Sequence, residues 1–335
     1  MNLVTGATGL LGAHIMLELL RKGEKVRGLH RGSGNKQIVQ SIFHHYSESE
    51  ALFEKIEWVE GDILDIHSLL KAMEGCTGLF HCAAVVSYHS ADRDLMYTVN
   101  VEGTANVVNV ALEKGDIRLC FVSSIAALGK AKNHDWIDET TEWIDSPFNT
   151  HYGISKNLGE MEVWRGIQEG LQGFVINPGF IIGPGNFDRS SASVFRKMNE
   201  GLNYYPPGGT GFVSATDCAS ISVDLLLNGA HSERYIVVAE NCSMKDVFQK
   251  IALSLGKEKP QKEATKTILQ IARIAEWVKE KVTRKKALIT KESVKNASIQ
   301  FYYHNEKVIA AVNRNFQPVH QAIENTASFF KKTQL

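Results

Sequence analysis

Apolar residues recur along the first 180 positions of the chain in two alternating spacings. Short apolar runs are typical of buried strands, and the segments between them repeat apolar residues every three or four positions, as helices packed on a core do. After a first strand that begins at residue 2 or 3, the predicted strands are Lys25–His30, Ile56–Val59, Gly78–Ala83, Ile117–Ser123 and Phe174–Asn177. The predicted helices are Ala13–Lys22, Asp65–Glu74, Arg93–Lys114 and Tyr152–Glu169. This alternation predicts an α/β fold with a doubly wound parallel sheet.

The residue pattern of the sequence changes after Pro178. Glycine- and proline-rich loops carrying aromatic residues follow, and Met244–Leu335 contains three or four helical patterns and no run of strands. Such loops tend to carry ligand contacts. We therefore expect residues 1–179 to form a nucleotide-binding domain and residues 180–335 a smaller, mostly helical substrate lobe, with part of 213–243 returning to the sheet.

Three glycines separate the first predicted strand from the first predicted helix. A strand, a glycine turn and a helix in this order suit a dinucleotide, because its pyrophosphate must approach bare backbone at the positive end of a helix. Gly6 allows the tight turn, Gly9 lets a cofactor approach closely, and Gly12 lets the helix pack against the strand. The spacing is G-x-x-G-x-x-G rather than G-x-G-x-x-G.

Composition excludes several other classes of function. The 37 basic residues balance the 37 acidic ones, so nothing indicates binding to nucleic acid or to an anionic membrane. The five cysteines are scattered, which is typical of a reducing compartment. No apolar run is long enough for a membrane span, and no ligand set for a metal is evident. Because a strand begins almost at the first residue, no signal peptide is expected, and we predict a cytoplasmic protein.

Tyr152 and Lys156 lie four residues apart on a predicted helix and so share one face. An ammonium group there can lower the pKa of a phenol towards the working pH, which suits a general acid in carbonyl reduction. Ser124 ends a predicted strand, where its hydroxyl can bond the substrate oxygen. Asn100 either orients a water near Lys156 or has a purely structural role. For Ser123 we expect capping.

The end of the second predicted strand indicates which dinucleotide is bound. NAD-specific enzymes place a carboxylate about twenty residues after the glycine motif, to bond the ribose 2′-hydroxyl. No Asp or Glu occurs between Glu24 and Glu48. Arg31, with Ser33 and Lys36 behind it and Thr8 in the glycine loop, can instead receive a 2′-phosphate. The sequence thus predicts NADP as cofactor, with NAD as the alternative.

Seven short motifs occur in an order that resembles one family. They are T-G-x-x-G-x-x-G at Thr5–Gly12, G-D-I at Gly61–Ile63, H-C-A-A at His81–Ala84, N-V-E-G-T at Asn100–Thr104, V-S-S at Val122–Ser124, Y-G-I-S-K at Tyr152–Lys156 and N-P-G at Asn177–Gly179. The chain resembles the extended short-chain dehydrogenase/reductases, the NAD-dependent epimerase/dehydratase superfamily with its Rossmann fold. Within that superfamily it looks closest to dihydroflavonol reductases and 3β-hydroxysteroid dehydrogenases.

The resemblance implies a role for each motif residue. The implied catalytic residues are Ser124, Tyr152, Lys156 and Asn100, with Tyr152 as general acid/base. Asp62 and Ile63 would contact adenine, Ala83 and Ala84 would line the cofactor, and Pro178 would abut the nicotinamide. The full set of implied cofactor contacts is Thr5, Gly6, Thr8, Gly9, Leu10, Leu11, Gly12, Arg31, Lys36, Asp62, Ile63, Ala83, Ala84, Tyr152, Lys156 and Pro178. Asn177 is a departure, since many relatives have arginine there.

The expected function is reduction of an apolar aldehyde or ketone, or the reverse reaction. The aromatic residues of 180–212 favour an apolar substrate; they are Phe180, Phe187, Tyr204, Tyr205 and Phe212. A nucleotide-sugar epimerase or dehydratase is the nearest alternative, for which Arg189 and Arg196 are available as diphosphate anchors. A non-catalytic redox sensor is the alternative from another class, although such proteins typically lack the Tyr/Lys pair. A small-molecule substrate and a homodimer are the expected partners.

Overall fold

The computed structural model describes residues 1–32, 34–46, 50–129, 136–146, 148–188, 191–283 and 290–333. The strands are β1 (Asn2–Thr5), β2 (Val26–His30), β3 (Glu57–Glu60), β4 (Gly78–His81), β5 (Arg118–Val122), β6 (Trp136–Ile137), β7 (Gln172–Pro178), β8 (Phe180–Ile182), β9 (Tyr204–Tyr205), β10 (Gly209–Ser214), β11 (Arg234–Val237), β12 (Glu240–Ser243), β13 (Lys262–Glu263) and β14 (Tyr302–Tyr303).

The helices lie mostly between consecutive strands. They are α1 (Leu10–Arg21), α2 (Lys36–His45), α3 (Glu50–Phe53), α4 (Ile66–Ala72), α5 (Arg93–Tyr97), α6 (Gly103–Lys114), α7 (His151–Gln168), α8 (Ser193–Asn199), α9 (Ala215–Leu227), α10 (Met244–Leu255), α11 (Lys266–Thr283), α12 (Lys291–Asn296), α13 (Glu306–Val312) and α14 (Val319–Thr333). None of these described helices is long and apolar enough to cross a membrane.

Seven parallel strands form the main sheet, in the spatial order β3-β2-β1-β4-β5-β7-β11. The predicted doubly wound α/β fold is confirmed. The chain leaves β1 towards β2 and β3, then returns to the other side of β1 to form β4, so β1 and β4 flank the point where the winding reverses. Ligands of such sheets bind at this point, outside the carboxyl ends of the strands.

Side chains alternate along each central strand between two buried layers. On β5, Leu119 and Phe121 pack with α4, α6 and α7, whereas Cys120 and Val122 pack on the opposite side with α1 and α9. Both faces of the sheet are therefore covered by helices, which explains why its strands are apolar runs rather than alternating ones.

The chain after β7 builds a second layer at one end of the sheet. β10 pairs with β8 in parallel and with β12 in antiparallel orientation, while β11, within 213–243, pairs with β7 and extends the main sheet. Residues 244–333 contain five described helices and the two short strands β13 and β14. The expectation of helices without strands in this region is therefore correct except for these two-residue pairings.

Two local features differ from the sequence prediction. Helix α2 was not expected, although Asn35 caps it by accepting a hydrogen bond from the Ile38 amide, and Val39, Ile42 and Phe43 bury one face. The predicted helix Arg93–Lys114 is interrupted by a π-helical turn at Thr98–Glu102. Such turns widen a helix locally and are frequent at functional sites.

Candidate active site

The glycine turn after β1 has the shape that its three glycines require. Gly6 has φ +64°, and a Cβ there would lie 2.7 Å from the Ala83 nitrogen. A Cβ on Gly12 would lie 2.3 Å from the Gly6 carbonyl oxygen, so α1 packs directly on the turn. Gly9 is exposed. Larger residues are thus excluded at Gly6 and Gly12 by the protein itself, whereas the face of Gly9 is open.

The N-terminus of α1 lies at this open face. Gly9 is the residue that precedes the helix, and no side chain caps it. Thr8 and Leu10 are half-buried beside it, and Leu11 is buried. Gly185, from the loop after β8, comes so close that a Cβ there would lie 2.7 Å from the Leu10 side chain. Free helix amides beside bare backbone fit the pyrophosphate of a dinucleotide.

Arg31 lies at the carboxyl end of β2 with an exposed side chain, and its guanidinium is 3.8 Å from the Asp62 carboxylate. The Glu60 carboxylate also lies near this end of β2, since its Oε1 would be 3.8 Å from a Cβ on Gly32, the residue after Arg31. Lys36 instead lies over the Trp58 ring, 5.1 Å from its centre. Carboxylates therefore reach this end of the crevice from β3 and the loop after it, although none occurs near Arg31 in the sequence. Ser33 lies outside the described residues.

The expected adenine and nicotinamide contacts are distributed along the same edge of the sheet. Asp62 accepts a hydrogen bond from the Leu64 amide and keeps a partly exposed carboxylate. The Ile63 side chain is buried against α6, and its carbonyl accepts a hydrogen bond from the Asn106 side chain of that helix. Ala83 is half-buried and Ala84 exposed after β4, and Pro178 is buried at the end of β7.

A buried hydrogen-bond chain joins the glycine turn to the π-helical turn. The Ala83 amide donates to Thr5, whose hydroxyl bonds His81 Nδ1 at 2.7 Å. His81 Nε2 bonds the Thr104 hydroxyl, which donates to the Asn100 carbonyl. Since Thr104 has one proton to donate, His81 must carry its proton on Nε2. Burial and the charge of Lys156 lower the pKa of His81 to about 3, which keeps the ring neutral.

Asn100 is buried in the π-helical turn, and its side chain is fully engaged. Its Oδ1 accepts from the Val85 amide at 2.8 Å, and its Nδ2 donates to the Val85 carbonyl and to the Ser155 hydroxyl. These bonds fasten the segment after β4 to α7. The geometry favours the structural role among the two that the sequence left open.

Tyr152 and Ser124 meet at the carboxyl ends of β5 and β7. Thr150 caps α7 by accepting from the Gly153 amide, which places Tyr152 in the first turn of the helix. The Ser124 hydroxyl accepts from the Ala126 amide at 3.1 Å and lies close to the Tyr152 phenol. Burial raises the pKa of Tyr152 above its ordinary value, with a further rise from Tyr88 and an opposing effect of Ser124.

Lys156 lies one turn further along α7 and is almost completely buried. Its ammonium group donates to the Val122 carbonyl at 2.7 Å and lies 4.3 Å from the centre of the Phe121 ring. Burial lowers its pKa to about 8, against the charge of Glu160, which raises it. The expectation that Lys156 lowers the Tyr152 pKa is wrong for this structure, because the ammonium is directed to Val122 and burial dominates at the phenol.

Ser123 does not act as a cap. Its amide donates to the Ile176 carbonyl, and its buried hydroxyl has no hydrogen-bond partner among the described residues. The capping expectation for Ser123 is therefore wrong, because the turn after β5 begins one residue later and is capped by Ser124.

Most of the aromatic residues expected to line the substrate site are part of the core. Phe187 packs with Phe195 and with Phe329 and Phe330 of α14. Phe180 and Phe212 pack on each other, and Tyr205 is buried. The substrate assignment is wrong for Phe187, Tyr205 and Phe212, because these side chains are buried in the core. Phe180 is half-buried and Tyr204 is 37% exposed. Of the two possible anchors for a diphosphate, Arg196 pairs with Asp188, and Arg189 lies outside the described residues.

Tyr88 is the aromatic side chain that contacts the candidate catalytic group. Its ring lies edge-on to Tyr152, with 6.4 Å between the ring centres, and it is 43% exposed. The segment around it also exposes Val86 and Leu95. Sequence reasoning missed Tyr88, and also His81 as a hydrogen-bonding link and Glu160. The spacing of Glu160, four residues after Lys156, was the available signal for the last of these.

Fold and site together define a doubly wound, dinucleotide-binding enzyme class. The chain belongs to the NAD-dependent epimerase/dehydratase family, whose model matches residues 2–238. This confirms the family resemblance of the sequence motifs and, with it, an enzyme that uses a nicotinamide dinucleotide.

Curated relatives include reductases. A protein of Synechocystis sp. that carries the provisional name dihydroflavonol 4-reductase is 27% identical over 98% of this chain and 94% of its own length. Cinnamoyl-CoA reductase 1 of Oryza sativa subsp. japonica is 31% identical over 70% of each chain.

Solved structures show the same fold. The crystal structure of gox2253 has a TM-score of 0.80 at 24% identity, covering 99% of this chain and 98% of that one. A UDP-glucose 4-epimerase of Thermotoga maritima, solved with UDP-glucose, has a TM-score of 0.76 at 16% identity over the full length of both chains.

Proposed function

We propose that this protein is a reductase that transfers hydride from NADPH to an apolar aldehyde or ketone, with Tyr152 as the proton donor. The observation that carries the proposal is the position of the phenol. Tyr152 is buried next to the Ser124 hydroxyl at the carboxyl ends of β5 and β7, one helical turn from Lys156. A buried phenol with a hydroxyl and an ammonium group close by is suited to pass a proton to a substrate oxygen, which is the requirement of the reductive direction.

The chain supplies three groups to the reaction. The residues of the glycine turn would hold a dinucleotide, whose nicotinamide ring would supply the hydride for the carbonyl carbon. As negative charge develops on the carbonyl oxygen, the Ser124 hydroxyl donates a hydrogen bond to it and Tyr152 transfers its proton to it. Lys156, one turn from Tyr152, is the ammonium group available to the nicotinamide ribose. The proton lost by Tyr152 is then replaced from solvent.

The glycine turn and the β2 end fit the two ends of NADPH. The open face of Gly9 and the start of α1 suit the pyrophosphate. We assign Ala83, Ala84 and Pro178, which follow or end β4 and β7, to the part of the cofactor that extends towards Tyr152. Arg31 is 69% exposed on its side chain and only loosely paired with Asp62. An exposed pair of this kind contributes about 0–1 kcal/mol, so the guanidinium can turn to a 2′-phosphate at little cost.

An apolar substrate is supported by the side chains next to Tyr152. Tyr88 lies against it, and Val86 and Leu95 are exposed on the same segment of the chain. Exposed apolar side chains beside a reactive group mark a ligand surface. The reductase names among the curated relatives agree with such a substrate.

The direct test is a substrate panel with purified protein. We expect NADPH consumption with aromatic or alicyclic aldehydes and ketones, and none with UDP- or GDP-sugars. Interconversion of a sugar nucleotide without net consumption of cofactor would contradict the proposal in favour of an epimerase. Tight NADPH binding without turnover of any carbonyl compound would contradict it in favour of a redox sensor.

A further inference from the structure

A buried carboxylate lies on the same face of α7 as the two candidate catalytic residues. Glu160 follows Lys156 by four residues and Tyr152 by eight, and it is 1% exposed. A charged group in such a position is costly unless other groups satisfy it. The Asn177 side-chain amide donates to Glu160 Oε1 at 2.6 Å, and Arg234 pairs with Oε2.

Asn177 connects this carboxylate to the Ser124 turn. Its Nδ2 donates to the Ser124 carbonyl at 2.9 Å as well as to Glu160, so both of its amide protons are used. Its Oδ1 is buried without a hydrogen-bond partner among the described residues. An apolar residue at position 177 would avoid the free-energy cost of burying an unpaired oxygen. The bridge from Glu160 to Ser124 is thus a reason for asparagine to occupy this strand position.

Glu160 is also the charged neighbour of Lys156. The titratable groups around Lys156 are Tyr152 and Glu160 on α7, His81 at the end of β4 and Cys82 after it, while Arg234 of β11 faces Glu160. Burial holds His81 neutral, with its pKa at about 3, and raises the pKa of the Cys82 thiol to about 12. Glu160 is therefore the carboxylate among these described neighbours of Lys156.

We propose that Glu160 is a positioning residue that fixes the Ser124 turn through Asn177 and supplies the negative charge one helical turn from Lys156. The inference rests on the proposed function, which gives Ser124 and Lys156 roles in the reaction. It has a positioning half, the link to Ser124, and a charge half, the effect on Lys156, and two substitutions test them separately. Glu160→Gln keeps an oxygen for Asn177 but removes the charge, whereas Asn177→Leu removes the Ser124 link and leaves the charge of Glu160.

The first experiment uses the protein without substrate or cofactor. The free energy of unfolding is measured from pH 6 to 10 for the wild type and Glu160→Gln, each compared with the same chain carrying Lys156→Met. The pH at which Lys156 loses its proton should fall in Glu160→Gln, because the substitution removes the negative charge that raises the Lys156 pKa. Glu162→Gln removes a charge that Arg165 pairs with on the surface of α7, and should leave that pH unchanged.

The second experiment measures turnover. Glu160→Gln should move the alkaline limb of kcat/KM to lower pH, and Asn177→Leu should lower kcat about tenfold without moving that limb. If Glu160→Gln folds poorly, the double variant Glu160→Gln/Arg234→Met takes its place in both experiments, because it removes both charges of the buried pair.

An unchanged Lys156 titration in unfolding would overturn the charge half of the inference, whatever the activity. Wild-type kcat in Asn177→Leu would overturn the positioning half. A shifted titration in a protein that reduces no carbonyl compound would instead support the charge half and contradict the proposed function.

Discussion

Substitution of two glycines in the turn after β1 should separate folding from cofactor binding. In Gly12→Ala the new methyl would stand 2.3 Å from the Gly6 carbonyl oxygen, so the turn must move by about 1 Å to reach an ordinary contact. Overpacking of this kind costs about 1–3 kcal/mol, while alanine gains about 0.5–1 kcal/mol over glycine in a helix. Because backbone has to move, the cost should lie towards the upper end of that range, about 2–3 kcal/mol, which leaves a net loss of about 1–2.5 kcal/mol in the free energy of unfolding.

Gly9→Ala is the matched control. Its methyl would meet only the Gly6 oxygen, at 3.0 Å, and would otherwise project into the open face. Stability should change by less than about 0.5 kcal/mol, but the Kd for NADPH should rise at least about tenfold, or 1.4 kcal/mol. Urea unfolding and fluorescence titration with NADPH measure the two quantities. Wild-type stability and affinity in Gly12→Ala, or wild-type affinity in Gly9→Ala, would refute the reasoning.

Two further predictions concern charge. Arg31→Ala should raise the KM for NADPH about tenfold with little change in the KM for NADH. Arg31→Asp should raise the KM for NADPH further, because it adds repulsion against the 2′-phosphate. Equal kcat/KM values for both cofactors that neither substitution changes would contradict the assignment. His14 and His81 have pKa values lowered to about 4 and about 3 by burial. Between pH 6.5 and 4 the unfolded chain binds protons that these folded histidines do not, so the free energy of unfolding should fall as the pH is lowered through this range. Urea titrations at pH 7 and 5 test this, and His14→Gln should show a shallower decline; identical slopes would contradict it.

The part of the site that could be predicted from the sequence consists of features set by short local motifs. The glycine turn depends on φ at Gly6 and on contacts within a few residues, and Tyr152 and Lys156 share a face through helix geometry alone. These features are fixed by neighbours in the chain, so their spacing is visible in one sequence. The doubly wound parallel sheet followed from the alternation of strands and helices.

Features that depend on distant contacts could not be predicted in this way. Phe187 is core because α14, more than a hundred residues later, covers it, and Tyr88 reaches Tyr152 only through the path of the segment after β4. Asp62 comes near Arg31 because β3 pairs with β2. The phenol pKa was predicted in the wrong direction because spacing indicates that Lys156 is near but not that its ammonium bonds Val122.

The central claim is that Tyr152 donates the proton in carbonyl reduction, and Tyr152→Phe tests it most directly. The substitution removes one hydroxyl and keeps the buried ring. With a carbonyl substrate from the panel, kcat should fall by at least about a hundredfold, the lower range for a general acid, while the Kd for NADPH stays within about twofold of the wild type. A variant that kept most of the wild-type kcat would contradict the account.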